Sequence, residues 1–158
     1  MSAPLGDRLP TAVMSALSAA ARERPEGQCV ILVTVDPEGQ ARPCLLSVGE
    51  LLAVDDRKLR AVIWPDSKTT QNLDSGRSAL FTLACPPDVF HVRAEPRRLA
   101  AAPHSQLARF EFTVCSVEAD THSGMPVTQP MWFAARADLR DSVLVMWASQ
   151  LDALRYRQ

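Results

Sequence analysis

Four residues, Asp36-Pro37-Glu38-Gly39, join two strand-like runs, and so short a connection makes them an antiparallel hairpin. Proline at the second position and glycine at the last specify the turn by their own chemistry. The runs it joins are residues 28–35, rich in Val, Ile and Leu, and residues 41–47. The same grammar recurs down the chain. Asp55-Asp56-Arg57 and Pro86-Pro87-Asp88 read as turns, and Phe90, Val92 and Ala94 alternate with His91 and Arg93. Residues 77–85 form a strand burying either Ala79, Phe81 and Leu83 or Leu80, Thr82 and Ala84. Pro96 implies a bulge or an edge before the strand resumes over 99–102. The longest strand covers 107–119, with Phe110, Phe112 and Val114 alternating against Arg109, Glu111 and Thr113. A short last strand falls in 131–135, while 48–55 reads as an apolar bend or helical turn.

Six or seven strands in hairpin order favour an antiparallel β-barrel, and helices at both ends make the class α+β. The first helix spans 8–24, with Pro10 in its first turn, a stripe of Val13, Leu17 and Ala20 or Ala21, and Pro25-Glu26-Gly27 as its stop. Asp141 or Ser142 caps the last helix, which carries Leu144, Trp147, Leu151 and Leu154 at helical spacing. One domain over 1–158 is expected: helix 8–24, barrel 28–138 and helix 141–157.

The junction at 59–76, LRAVIWPDSKTTQNLDSG, is unlike the rest. Leu59, Ala61 and Ile63 share one face of a strand, Arg60, Val62 and Trp64 the other, and Pro65 ends it. Asp66 or Ser67 caps a short helix that Gly76 closes. Its opening residues Ser67, Lys68, Thr69, Thr70, Gln71 and Asn72 are neither good helix formers nor apolar. Hydroxyls, a cation and free backbone N–H groups at a helix start suit an anion, most often phosphate; the ordinary alternative is an exposed, well-capped polar turn.

Composition excludes several classes. A formal net charge of −1 and a pI near 6.3 supply no basic field for nucleic acid. No apolar run approaches the ~20 residues of a membrane helix, and MSAPLGDRL lacks a secretory pattern, so a cytoplasmic location is expected. Of 17 basic residues only Lys58 and Lys68 are lysine. Cys29, Cys44, Cys85 and Cys115 lack metal or redox spacing and read as small buried hydrophobes. His91, His104 and His122 sit in separate elements, so no metal site is expected. Arg97-Arg98 reads as a solvated edge before it reads as an anion contact. Trp147 is a core or interface anchor; Trp64 stands where a flat ligand with a phosphate tail would lie; Trp132 packs internally or closes a pocket from a second subunit. No common catalytic motif is present, and catalytic residues are not assigned.

Taken in order, VILVTVDPEGQARPCLLS, RAVIWP, SKTTQNL, RSALFTLA, HVRAEPRRL and FEFTVCSVEAD resemble the FMN-binding split-barrel proteins of the pyridoxamine 5′-phosphate oxidase-like superfamily, from about residue 28 to 133. The resemblance implies a homodimer with flavin at the subunit interface. It makes Ser67, Lys68, Thr69 and Thr70 phosphate contacts, gives Asn72 a loop-stabilising or ribityl-contacting role, and sets Leu46, Ser47, Ile63 and Trp64 at the isoalloxazine ring. Relatives often carry a basic residue where this chain has Thr69 and a small residue where it has Pro130. The basic substrate-binding residues of true pyridoxamine phosphate oxidases have no match, so that activity is not expected.

Three functions follow from the resemblance. The first is an FMN-dependent oxidoreductase acting on a small molecule, with F420 as a variant cofactor. The second is a carrier or sensor that holds flavin or haem without turnover, and the third is a structural barrel whose site has decayed.

Overall fold

In a computed structural model of the chain, which describes residues 2–22 and 26–157, the elements run β1 (Ser2–Gly6), α1 (Thr11–Ala16), β2 (Glu26–Val35), β3 (Ala41–Ser47), β4 (Leu51–Asp55), β5 (Lys58–Ile63), α2 (Lys68–Asp74), β6 (Ala79–Cys85), β7 (Asp88–Leu99), β8 (Ala108–Asp120), β9 (Trp132–Ala134) and α3 (Arg140–Arg155). The hairpin forms as its turn requires. Gly39 N–H donates to the Asp36 carbonyl at 3.0 Å, and Gly39 takes a φ of +84°, where a side chain would be strained. Strand order is β3-β2-β6-β7-β8-β5-β4, every pairing is antiparallel, and the sheet curls into a half-barrel; β1 adds to β8 and β9 to β2. This is the α+β split barrel expected.

Alternation decides the core. Val30 and Leu32, Leu59, Ala61 and Ile63, Phe81 and Leu83, Phe90 and Val92, and Phe110 and Phe112 point inward into one cluster. The alternative for β6 is thereby settled in favour of Ala79, Phe81 and Leu83. Phe81 meets Phe112 edge-on, with centroids 4.9 Å apart.

Several expectations are corrected. The first helix ends at Ala16, because the Leu17 carbonyl accepts the Ala53 N–H at 3.0 Å instead of continuing the helix; a 3-10 turn follows at Ala19–Arg22, and Pro25 lies outside the described residues. Residues 48–55 contain β4 after a turn in which Glu50 N–H donates to the Ser47 carbonyl at 3.0 Å. β1 was not expected, and it raises the strand number to nine among the described residues. β7 runs unbroken through Pro96, and the register shifts earlier, between Arg93 and Ala94, where β8 carries the extra residue. That residue, Cys115, is exposed and not a buried hydrophobe. Asp141 lies in the first turn of α3, and neither it nor Ser142 is the cap, which falls at Leu139.

A second cluster holds α3 against the outside of the barrel: Val62 and Leu52 of the sheet meet Ala102, Ala153 and Leu154. Midway along the helix Trp147, 3% exposed, lies over Gly49. A Cβ at Gly49 would fall 2.0 Å from Trp147 Cδ1, on the rigid part of the indole. Gly49→Ala is therefore expected to lower the unfolding free energy by about 1–3 kcal/mol, read as a shift in the urea midpoint. An unchanged midpoint would mean that α3 is not seated on this turn.

Candidate anion groove between the β2–β3 turn and α2

α2 closes one mouth of the barrel by a chain of local contacts. Ser67 is its N-cap and accepts the Thr70 N–H at 3.1 Å. Thr70 Oγ1 in turn donates to the Trp64 carbonyl at 2.7 Å, locking the strand end onto the helix start. Leu73 enters the barrel core, and Asn72, 5% exposed, donates through Nδ2 to Thr34 Oγ1 at 2.9 Å. Thr34 Oγ1 reaches the Arg42 carbonyl at 3.4 Å, and hairpin register sets Thr34 opposite Arg42. A buried amide thus ties α2 to the strand pair that carries Arg42.

Between this helix and the turn runs a groove of about 290 Å³, whose polar lining comprises Asp36, Glu38, Arg42, Lys68, Gln71, Asn72, Ser75 and Arg77. Asp36 holds the groove wall. Its carboxylate accepts the Gln40 N–H at 2.8 Å and Arg42 Nε at 2.7 Å, and its carbonyl accepts from Arg77. The Gln40 N–H first, and Arg42 next, keep the carboxyl below its ordinary pKa, so it remains ionised at neutral pH. The Arg42 pairing uses one of the five N–H donors of a guanidinium. Lys68 is exposed on the first turn of α2 and has no ion pair among the described residues. Three cations and a carboxamide thus converge where a compact anion can meet them.

The expected site residues divide by location. Lys68 and Asn72 line the groove. Ser67 and Thr70 are not among the groove's lining residues, and their hydroxyls are engaged in the cap and the strand-end clamp. Thr69 is 8% exposed and lies beside Cys44, whose thiol burial pushes up while the Thr69 hydroxyl draws it down. Leu46 and Ile63 point into the core, and Ser47 gives its N–H and hydroxyl to Glu50 Oε2 at 2.8 and 2.9 Å. The Glu50 carbonyl accepts the Val62 N–H at 2.9 Å, which brings the Ser47 turn beside the strand end at Ile63. Trp64 is 69% exposed, and Trp132, opposite Gln28 on β9, is 58% exposed.

Arg42, Arg77 and Asp36 are groove residues that sequence reading missed. A signal for Arg42 existed. Counting back from core residue Leu46 through Cys44 places Arg42 on the inward face of β3, at the barrel mouth, where a charge is out of pattern. Arg77 had none, since its position depends on Gly76 turning at a φ of +74° after the helix.

The fold is that of the pyridoxamine 5′-phosphate oxidase-like split barrels. A protein of Lactobacillus delbrueckii, provisionally described as a pyridoxamine 5′-phosphate oxidase, superposes with a TM-score of 0.58 at 14% identity over 72% of this chain and 97% of its own. HupZ of Group A Streptococcus gives a TM-score of 0.54 at 13% identity, over 69% and 92% of the two chains. No family model and no curated protein sequence matches the chain. The resemblance read from the order of elements holds at the level of fold.

Proposed function

We propose that the chain is an FMN-binding split-barrel domain, acting as a homodimer in the oxidation or reduction of a small molecule. The observation that carries this reading is the groove in which Arg42, Lys68 and Arg77 meet around Asn72. The donor set suits a phosphate: guanidinium forks, an ammonium and carboxamides, outnumbering the two carboxylates of the lining, of which Asp36 is already paired and Glu38 lies on the turn. A groove of about 290 Å³ whose described lining has no aromatic ring suits the phosphate and neighbouring ribityl oxygens better than the isoalloxazine ring. The ring would therefore lie outside the groove against Trp64, with a second protomer covering it. Backbone at Leu46, Ser47 and Ile63 and the indole of Trp132 are available to border it. Bound flavin would supply the electron transfer, while the chain orients it and excludes water. Among the described residues no lining side chain is a histidine, cysteine or methionine, which favours a phosphate-bearing cofactor, FMN or F420, over haem at this place. The carrier reading uses the same groove and differs only in lacking turnover.

Titration with FMN, followed by quenching of flavin fluorescence, tests the site. Lys68→Ala and Arg42→Ala are each expected to weaken binding about tenfold or more, the cost of one charge-assisted contact. Affinity equal to that of the native chain in both variants would show that the groove does not hold the flavin.

A further inference from the structure

We propose that the cleft between the C-terminal end of α3 and strands β5, β7 and β8 is a second anion site, taking a phosphomonoester or carboxylate of a small molecule. It lies among different residues from the α2 groove and does not depend on flavin binding.

Register builds it. On the outer face of β8, Glu111 is paired with Arg60 of β5 and Arg97 of β7, and Arg109 with Val62 and Leu99. Glu111 collects its cations: Arg60 Nη2 at 3.0 Å, Arg97 Nη2 at 2.8 Å and Lys58 Nζ at 3.8 Å. Arg109 is left without a carboxylate among the described residues. Only 3% exposed, it donates to the carbonyls of Ala100 and Tyr156, both at 2.7 Å, and its guanidinium lies 5.3 Å from the Tyr156 ring centroid. Its Nε, fully buried, has no hydrogen-bond partner among the described residues. Burial first, and the nearby Arg60 charge next, depress its pKa.

A buried guanidinium with an unpaired donor and no carboxylate in contact among the described residues is a costly arrangement. Beside it opens a cleft of about 270 Å³ that also exposes Arg60, Arg97 and Arg157, and no acidic side chain among the described residues lines it. The other groups facing the cleft are Leu99, Ala100 and Tyr156; the helix-end carbonyls of Leu154 and Tyr156 are already taken by Arg60 and Arg109. Arg60 and Arg97 already meet Glu111 and Arg109 two carbonyls, so the exposed Arg157, with the remaining N–H groups of the other three, supplies the planar, forked recognition of a phosphate or carboxylate. The volume admits the anionic group with a small substituent. A ligand seated there bridges the end of α3 to the sheet.

The test is calorimetric titration of the full chain with inorganic phosphate and, separately, with acetate, at constant ionic strength. In Lys68→Ala, where the α2 groove is weakened, saturable one-to-one binding of either ion is expected, phosphate alone marking a phosphomonoester site and acetate of comparable strength a carboxylate site. Arg109→Gln is expected to remove it. Because Arg109 also holds the helix end, the deciding variant is Arg157→Gln, at an exposed position outside the helix, with affinity expected to fall about tenfold. Lys68→Ala, which weakens the α2 groove, should keep the binding at this cleft, since Lys68 does not line it. No saturable binding in the native chain, unchanged affinity in Arg157→Gln, or loss of binding in Lys68→Ala would each overturn the proposal, the last by placing the anion in the α2 groove.

Discussion

Glu111→Gln is expected to destabilise the chain by about 3–5 kcal/mol, nearer the lower figure, the range for breaking a buried ion pair from one side. The Glu111 side chain is 7% exposed and is the one carboxylate in contact with Lys58, Arg60 and Arg97 among the described residues. Arg97 and Lys58 can turn their charge to water, being 70% and 46% exposed, but Arg60 at 16% cannot. The effect should therefore come mainly from Arg60, which the substitution leaves buried beside the equally uncompensated Arg109. At about 2–4 °C per kcal/mol for a chain of this size, the melting temperature should drop by roughly 10 °C. The pH dependence has a definite sign. Burial pushes the Glu111 carboxyl up, but hydrogen bonds from Arg97 and Arg60, with the charge of Lys58, hold it below its ordinary value. A carboxyl lowered in the folded state stabilises above its unfolded pKa of about 4.3, and that stabilisation disappears as pH falls through the folded value. The gap between native and variant should be constant at neutral pH and close in acid. A gap that persists undiminished at the lowest pH where both fold would show that Glu111 acts through packing and not charge.

Phe112→Ala should cost a similar amount, about 3–5 kcal/mol, for a different reason. Phe112 is fully buried, meets Phe81 edge-on at 4.9 Å and lies 6.3 Å from Phe110, so truncation opens a cavity bordered by two other rings. The barrel wall limits collapse into that space, since β8 is hydrogen-bonded to β5 on one side and β7 on the other. Against a typical total of about 5–15 kcal/mol, the loss is a large share of the stability. Chemical denaturation should show a lowered midpoint with an unchanged slope. A cost below about 1 kcal/mol would mean that the three rings do not form one rigid core.

The fold was legible where side-chain alternation and turn chemistry agreed. The hairpin at Asp36–Gly39, the inward faces of β5, β7 and β8, and the strand-to-helix junction at Pro65 all follow from local residues. The misreadings share a cause: local pattern was overruled by contacts from far along the chain. The Leu17 carbonyl is taken by Ala53, which stops the first helix. Arg109 and Glu111 alternate as solvent-facing residues would, yet both are buried, because α3 and the arginines of β5 and β7 cover that face. The candidate groove was half visible for the same reason. Lys68 and Asn72 announced themselves in an odd helix start, whereas Arg42 and Arg77 reach the site only through hairpin register and the turn after α2.

If the groove beside α2 holds the phosphate of a flavin, that phosphate should dominate affinity. The most direct measurement compares FMN with riboflavin, which differs only in lacking the phosphate, by titration of the native protein in low salt. Saturable FMN binding at least about tenfold tighter than riboflavin, with the difference shrinking as salt is raised, is the result expected. Equal affinity for the two flavins, or no binding of either, would contradict it.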